Sequence, residues 1–134
     1  MSVPEHLWRF PTKDARVALA SRLSLPYTAQ MQDWEWEVSD PNRIAEFLAL
    51  YKSGELTEDE RFSLIEIIIQ SFDDQERDLT DDILWQDTLN IITQNLNTHI
   101  HTVWYWSDFE GKGYSCFVSR HLKEIRDSSG EKYA

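Results

Sequence analysis

Two histidines are the first residues whose type and spacing could carry chemistry. His99 and His101 lie two positions apart, so on a strand they would share one face, and with Asp108 they could bind a metal ion. No third ligand stands at a recognised metal-ligand spacing. The preferred interpretation is a pair of histidines at a helix-to-strand junction, so we predict no metal site and no cofactor.

A cysteine and a glutamate are the remaining candidates for chemistry. Cys116 is the only cysteine, and His121 is close to it in sequence, but no nucleophile motif surrounds them. We therefore expect Cys116 to be a buried, inert thiol. Glu66 lies within an apolar helix pattern, where a carboxyl could keep its proton, although a helix seam open to solvent explains it too. Without a phosphate-binding glycine loop, we predict no catalytic residue and no enzyme.

The secondary-structure elements that position these candidate residues are predicted to be mostly helices. The spacing predicts a helix between a Thr12 cap and Pro26, and a second helix opened by Asp40-Pro41 and stopped by Gly54. Thr57 to Glu60 reads as a capping box. The helix that follows it is apolar almost all round, and this indicates the centre of the core. A helix capped by Thr80 and a short one capped by Ser119 complete the set.

Three stretches predict strands instead. DWEWEV, residues 33–38, alternates apolar and acidic residues, so Trp34, Trp36 and Val38 should face the core and the acids should face water. Residues 100–107, which contain VWYW, are apolar on both faces, as in a central strand. Residues 114–118 follow a Gly111-Lys112-Gly113 turn. The predicted fold is an α+β single domain over residues 1–134, mostly helical, with a small antiparallel sheet of two or three strands.

The charge of the chain is concentrated in one segment. The net charge is −11, and residues 55–82 hold a net −9 of it, with eleven acids against two bases. Such a surface repels nucleic acid and attracts cationic partners, although charge runs also serve solubility alone. The predicted partner-binding residues are the carboxylates of this segment, namely Glu58, Asp59, Asp73, Asp74, Glu76, Asp78, Asp81 and Asp82. Trp85 could anchor a partner beside them, although its spacing favours the helix core.

Several phrases together resemble a known class of proteins. They are QDWEWEVSDPNRIAEFLALY, LTEDERFSLIEIIIQSFDD and HIHTVWYWSD, the last followed by SRHLKEI. They resemble small bacterial proteins of the immunity type, encoded beside polymorphic toxins of the Rhs or contact-dependent inhibition class. The resemblance implies a cytoplasmic protein that binds a cognate toxin domain and blocks it. The acidic segment would suit a basic toxin domain. The resemblance assigns no catalytic residue.

The expected setting is the cytoplasm, because the chain has no apparent secretory signal, no membrane-spanning run and no pair of cysteines for a disulfide. Two alternatives to a toxin-binding role stay open. One is an interaction or regulatory adaptor, which could be a homodimer. The other is a small enzyme or metal protein that uses His99, His101 or Cys116. The sequence does not separate the toxin-binding and adaptor functions.

Overall fold

Helices make up all the regular structure that the described residues contain. A computed structural model describes residues 3–109 and 116–133. It contains a 3-10 helix at Glu5–Leu7 and the α-helices α1 Lys13–Leu23, α2 Trp34–Glu37, α3 Ile44–Lys52, α4 Glu58–Asp73, α5 Ile83–Gln94, α6 Leu96–Ser107, α7 Ser119–Ser128 and α8 Gly130–Tyr133. Over these residues the fold is all-α, and the predicted α+β class with its small antiparallel sheet is wrong.

The chain divides into two compact units. The first helical unit is Phe10–Gln75 and holds α1 to α4. The second helical unit combines Met1–Arg9 with Glu76–Ala134 and holds the 3-10 helix and α5 to α8. The single domain expected over residues 1–134 stays a prediction.

The first helical unit is built around α4, which packs against α1, α2 and α3. The sequence explains this central place, because α4 is apolar on almost every side and Phe62, Leu64 and Ile68 are buried. The predicted capping box is confirmed: Thr57 Oγ1 accepts from the Glu60 amide at 3.1 Å, and Glu60 Oε1 accepts from the Thr57 amide at 2.9 Å. This reciprocal pairing satisfies two amides that the first turn would otherwise leave open.

Other predicted helix ends hold only in part. Thr12 caps α1 by accepting from the Ala15 amide at 3.2 Å, and Gly54 follows α3 with a left-handed φ of 75°, as predicted. Asp40 instead closes a turn by accepting from the Asn42 amide at 2.9 Å, and α3 begins only at Ile44. Ser119 is the first residue of α7, after the N-cap Val118.

The strand predicted at DWEWEV is the short helix α2. On four residues, a period of two cannot be separated from a helical turn, and Trp34 and Val38 share a face at the i, i+4 spacing as well. Both are buried, and Trp34 Nε1 donates to the Pro26 carbonyl at 2.7 Å. Trp36 turns outward with 62% of its surface exposed, and Glu35 turns inward. The predicted faces are therefore reversed at these two residues.

The strand predicted over residues 100–107 is the second half of helix α6. β-branched and aromatic residues favour strands, which made the stretch look extended. The buried residues His99, Val103 and Trp106 nevertheless recur at i, i+4 and i+7, a helical period, and Tyr105 is exposed. In the second helical unit α6 packs against α5 and α7. The predicted turn at 111–113 and residues 114–115 of the predicted strand lie outside the described residues. Residues 116–118, the rest of that predicted strand, are described and are not extended into a strand.

No helix in the described part of the chain combines the length and the apolar character needed to cross a membrane.

Candidate partner-binding surface

An open cleft of about 510 Å³ lies in the acidic segment of the second helical unit. We call it the acidic cleft. It is lined by Arg77, Asp78, Asp81, Asp82, Ile83 and Leu84. Three of the eight predicted partner-binding residues therefore line one cavity, together with two apolar residues that the sequence analysis did not select.

The loop that forms this cleft is organised by two of its own carboxylates. Asp78 Oδ1 accepts from the Thr80 amide at 2.9 Å and from the Thr80 hydroxyl at 2.6 Å, a local turn typical of aspartate. Asp82 Oδ1 caps α5 by accepting from the Trp85 amide at 2.8 Å, and Asp82 pairs with Arg77. Asp82, and not the predicted Thr80, is thus the N-cap, and α5 begins after the acids at Ile83.

The two apolar residues in the cleft are unusually exposed. Ile83 has 83% and Leu84 41% of its surface exposed, whereas Trp85 is fully buried and lies edge-on to His121 with ring centroids 5.8 Å apart. The preferred interpretation of Trp85 as a core residue is confirmed, and it cannot anchor a partner. Successive helical residues are about 100° apart around the helix axis. Ile83, two positions before Trp85, therefore lies on the side opposite the buried stripe that runs through Trp85 and Ile92. That signal could have identified Ile83 from the sequence.

The three carboxylates of the acidic cleft differ in how much they stabilise the local structure. Burial alone would raise the pKa of Asp82, but the bonds from Arg77 and from the Trp85 amide outweigh it and lower the pKa. The bonds from Thr80 hold the pKa of Asp78 below its usual range, and Asp78 stays exposed with Arg120 at 3.9 Å. Asp81 is exposed as well. Asp82 is therefore mainly structural, while Asp78 and Asp81 present charge to solvent.

The other predicted partner-binding residues divide between the units. Glu76 belongs to the second helical unit and is exposed, with a left-handed φ of 52°. Glu58 and Asp59 lie in the first turn of α4, where negative charge suits the helix dipole, and Asp73 is its last residue. Asp74 accepts from Ser39 Oγ at 2.8 Å and from Gln70 Nε2 at 2.9 Å. That these four residues of the first unit serve a partner stays a prediction.

A buried charge cluster in the first helical unit was not anticipated. Arg16 donates to both carboxylate oxygens of Glu35, at 2.6 Å from Nη2 to Oε1 and at 2.9 Å from Nε to Oε2, and this bond raises the pKa of Arg16. The two side chains are only 15% and 8% exposed. The cluster joins α1 to α2. The short α2 is therefore held by a bidentate ion pair as well as by the buried Trp34.

Glu66 on α4 also belongs to this cluster. The sequence analysis singled it out because it is a carboxyl within an apolar helix. Although the residue retains some exposed surface, protein atoms surround its carboxyl group. This burial, with the negative charge of Glu35 as the second cause, raises the pKa of Glu66 to about 8. With this pKa, Glu66 keeps its proton at neutral pH. Neither residue lines the acidic cleft.

The histidines and the cysteine were the other candidates for chemistry. His99 and His101 are two positions apart on α6 and so project in different directions, and the shared face predicted for a strand is wrong. His99 is fully buried, and burial lowers the pKa of His101. Cys116 is partly buried, and as the only cysteine of the chain it has no partner for an internal disulfide. No group of three or more His, Cys, Asp and Glu side chains in these residues could hold a metal ion.

Neither protein-family models, nor curated proteins, nor solved structures yield a match to this chain.

Proposed function

We propose that this protein is a non-enzymatic binding protein of the cytoplasm that blocks a cognate toxin domain through the acidic cleft. The observation that carries the proposal is the exposure of Ile83 and Leu84 directly beside the exposed carboxylates Asp78 and Asp81. This combination supplies the two parts of a specific protein–protein interface, namely an apolar centre and a charged rim.

The charge supports a basic partner. The chain carries a net −11, and most of that excess lies in residues 55–82. A surface of one sign speeds encounter with a surface of the opposite sign and disfavours wrong partners. A basic toxin domain, for example one that acts on a polyanion, has the complementary charge. Nucleic acid, with its own negative charge, is disfavoured as a partner.

The apolar residues support tight binding to a protein. Charge at an exposed rim adds mainly to the rate of association, while the desolvated centre of an interface contributes most of the affinity. Ile83 stands at the first position of α5, and Asp82 fixes the start of that helix by capping it. The apolar centre is therefore preorganised on a capped helix end, which lowers the entropy cost of binding.

The second candidate is an adaptor that pairs with another copy of itself, and the exposed Ile83 would suit it too. In a two-fold dimer through this patch, however, each acidic cleft would face its own copy. Like charges at an interface are unfavourable, so the same cleft fits a basic partner better. An enzyme or metal protein built on His99, His101 or Cys116 finds no supporting cluster in the described residues.

The test begins with capture of partners by the whole protein at low and moderate salt. A captured basic domain is then expressed in cells with and without this protein, and we expect growth to be arrested without it and restored with it. Binding of the purified pair is compared for Asp78→Lys with Asp81→Lys, for Ile83→Ser, and for two controls. The controls are Asp14→Lys with Glu37→Lys, and Val17→Ser, which make equivalent changes at exposed positions of the first helical unit.

We expect the charge reversals and Ile83→Ser each to weaken binding at least tenfold, and the controls to leave it unchanged. Capture of no toxin domain, or rescue that survives both changes, would refute the proposal. A mass in solution equal to two chains, abolished by Ile83→Ser, would favour the adaptor instead.

A further inference from the structure

Trp36 is a large aromatic residue on the surface of the first helical unit. It has 62% of its surface exposed, whereas its neighbours Trp34 and Glu35 are buried. An indole ring in water leaves apolar area that burial in an interface would remove. Trp is also among the residues that most often carry the binding energy of protein interfaces. Trp36 is therefore a candidate contact point, and it does not line the acidic cleft.

The short helix that carries Trp36 is fixed on its other sides. The ring of Trp34 is fully buried, and Glu35 forms the bidentate pair with Arg16. The Trp36 amide donates to the Asp33 carbonyl at 3.0 Å. The backbone of Trp36 is thus held in place before a partner arrives, and this lowers the entropy cost of binding.

Two exposed carboxylates lie close to Trp36. Asp33 stands at the N-cap of α2, three positions before Trp36, and its side chain forms no capping bond. This spacing places both side chains on one side of the turn. Asp74 accepts from Ser39 Oγ at 2.8 Å, and the same Oγ lies 2.9 Å from the Trp36 carbonyl oxygen. We call Asp33, Trp36 and Asp74 the Trp36 face. An exposed ring flanked by negative charge attracts a cation.

Other aromatic rings of this protein already have an arginine over them. The guanidinium carbon of Arg126 lies 5.9 Å from the Trp104 ring centroid. That of Arg43 lies 5.4 Å from the Phe47 ring centroid. Among the described residues, none places a cation over the Trp36 ring. Arginine would suit this ring better than lysine, because a planar guanidinium can stack on the ring and still donate to a carboxylate at its edge.

We propose that the Trp36 face binds an arginine side chain in a basic segment of a partner protein. The guanidinium stacks on the indole ring, and the carboxylates of Asp33 and Asp74 supply the opposite charge. Charge complementarity selects this occupant, because a second copy of a chain with a net charge of −11 would bring carboxylates toward carboxylates. The inference does not depend on the toxin-binding proposal, because no residue of the Trp36 face lines the acidic cleft.

The experiment is a titration of the ¹⁵N-labelled full chain with the blocked tripeptide acetyl-Gly-Arg-Gly-amide at low salt, followed by the backbone amide signals of α2. Two further tripeptides replace the arginine by citrulline, which is planar and neutral, or by lysine, which is charged and not planar. We expect saturable shifts with the arginine peptide and a Kd on the order of 10 mM. The lysine peptide should bind about threefold more weakly, and the citrulline peptide should not saturate. Equal binding of the citrulline peptide would overturn cation recognition, and equal binding of the lysine peptide would overturn the stacked geometry.

Three variants sharpen the test. Trp36→Leu keeps an apolar side chain and removes the aromatic face, so binding of the arginine peptide should fall about fivefold or more. Asp33→Asn removes one carboxylate charge without removing a cap, so binding should fall about threefold. Asp81→Asn makes the same chemical change in the acidic cleft and should bind as the natural protein does. The proposal is refuted if no shift saturates, if the shifts of α2 survive Trp36→Leu, or if they disappear in Asp81→Asn.

Discussion

Two of the arginine–carboxylate pairs in the described residues lie in contrasting surroundings. In the first helical unit Arg16 and Glu35 form a bidentate pair whose side chains are almost fully buried, next to the protonated Glu66. In the second helical unit Arg77 pairs with Asp82 at the surface, and the Arg77 side chain is 47% exposed. The same two chemical groups thus serve the packing of helices in one place and the shape of a binding loop in the other.

The difference teaches where an ion pair matters for stability. A buried charge whose partner is removed keeps the full cost of its desolvation, whereas water replaces the lost partner at the surface. The buried pair should therefore respond strongly to substitution. The surface pair should respond weakly, apart from the separate capping role of Asp82.

The largest effect is expected from Arg16→Met. This substitution leaves the buried Glu35 carboxylate unpaired beside Glu66, so we expect the free energy of unfolding to fall by about 3 kcal/mol. Urea unfolding followed by circular dichroism measures it. The double change Arg16→Met with Glu35→Leu replaces the pair by apolar groups and should recover most of the loss. A single variant as stable as the natural protein would show that the pair contributes nothing.

The next effect is a pH dependence that belongs to Glu66. In the unfolded chain this carboxyl titrates near its model value of 4.5, and in the folded protein at about 8. Between these values the folded state binds more protons, so this group stabilises the protein below about pH 5, and that stability is lost as the pH rises toward 8. Relative to Glu66→Gln, the natural protein should lose about 3 kcal/mol between pH 5 and 8.

The measurement for Glu66 is urea unfolding of both proteins at three pH values across this range. Both proteins contain the same histidines, so the difference in their free energies of unfolding at each pH reports Glu66 alone. Burial lowers the pKa of His101 and His121, and the stability that depends on them therefore changes with pH in the opposite direction. Glu37→Gln, at an exposed carboxyl of α2, is the matched control. Parallel pH profiles for the natural protein and Glu66→Gln would mean that this carboxyl ionises normally.

The smallest effects are expected at the surface pair. Arg77→Gln should cost only about 0.5 kcal/mol, because exposed ion pairs contribute little and salt screens them. Asp82→Ala should cost about 1 kcal/mol, because it also removes the side-chain acceptor for the Trp85 amide at the start of α5. Thermal unfolding at low and high salt compares the two. Should Arg77→Gln cost as much as Asp82→Ala, the ion pair and not the cap would hold the loop.

The helix ends show which features of the fold can be predicted from neighbouring residues alone. Thr57 with Glu60, Thr12 and Gly54 act as predicted, because a cap involves residues only three or four apart and needs no tertiary contact. Asp40 was misread because aspartate serves turns and caps with the same acceptor geometry. Thr80 was misread in a similar way: it bonds to Asp78, and Asp82 takes the cap.

The candidate site was predictable in its charge and not in its apolar part. Asp78, Asp81 and Asp82 were selected from the density of acids and do line one cleft. Ile83 was missed although the helical spacing around Trp85 places it outside the buried stripe. Leu84 was missed because its exposure depends on what packs against α5 from elsewhere in the chain. The Arg16–Glu35 pair was missed for a comparable reason, since its members are 19 residues apart and only the packing of α1 beside α2 brings them together.

By itself, the sequence determined the central apolar helix α4 with its capping box, the main helical content and the concentration of negative charge, all of which depend on neighbouring residues. Only the tertiary structure decided that residues 34–37 and 100–107 are helical and which of their aromatic rings are buried. The physical reason is that aromatic and β-branched residues fit a strand or a buried helix face equally well. Their conformation is settled by the partners they pack against, and those partners lie far away in the sequence.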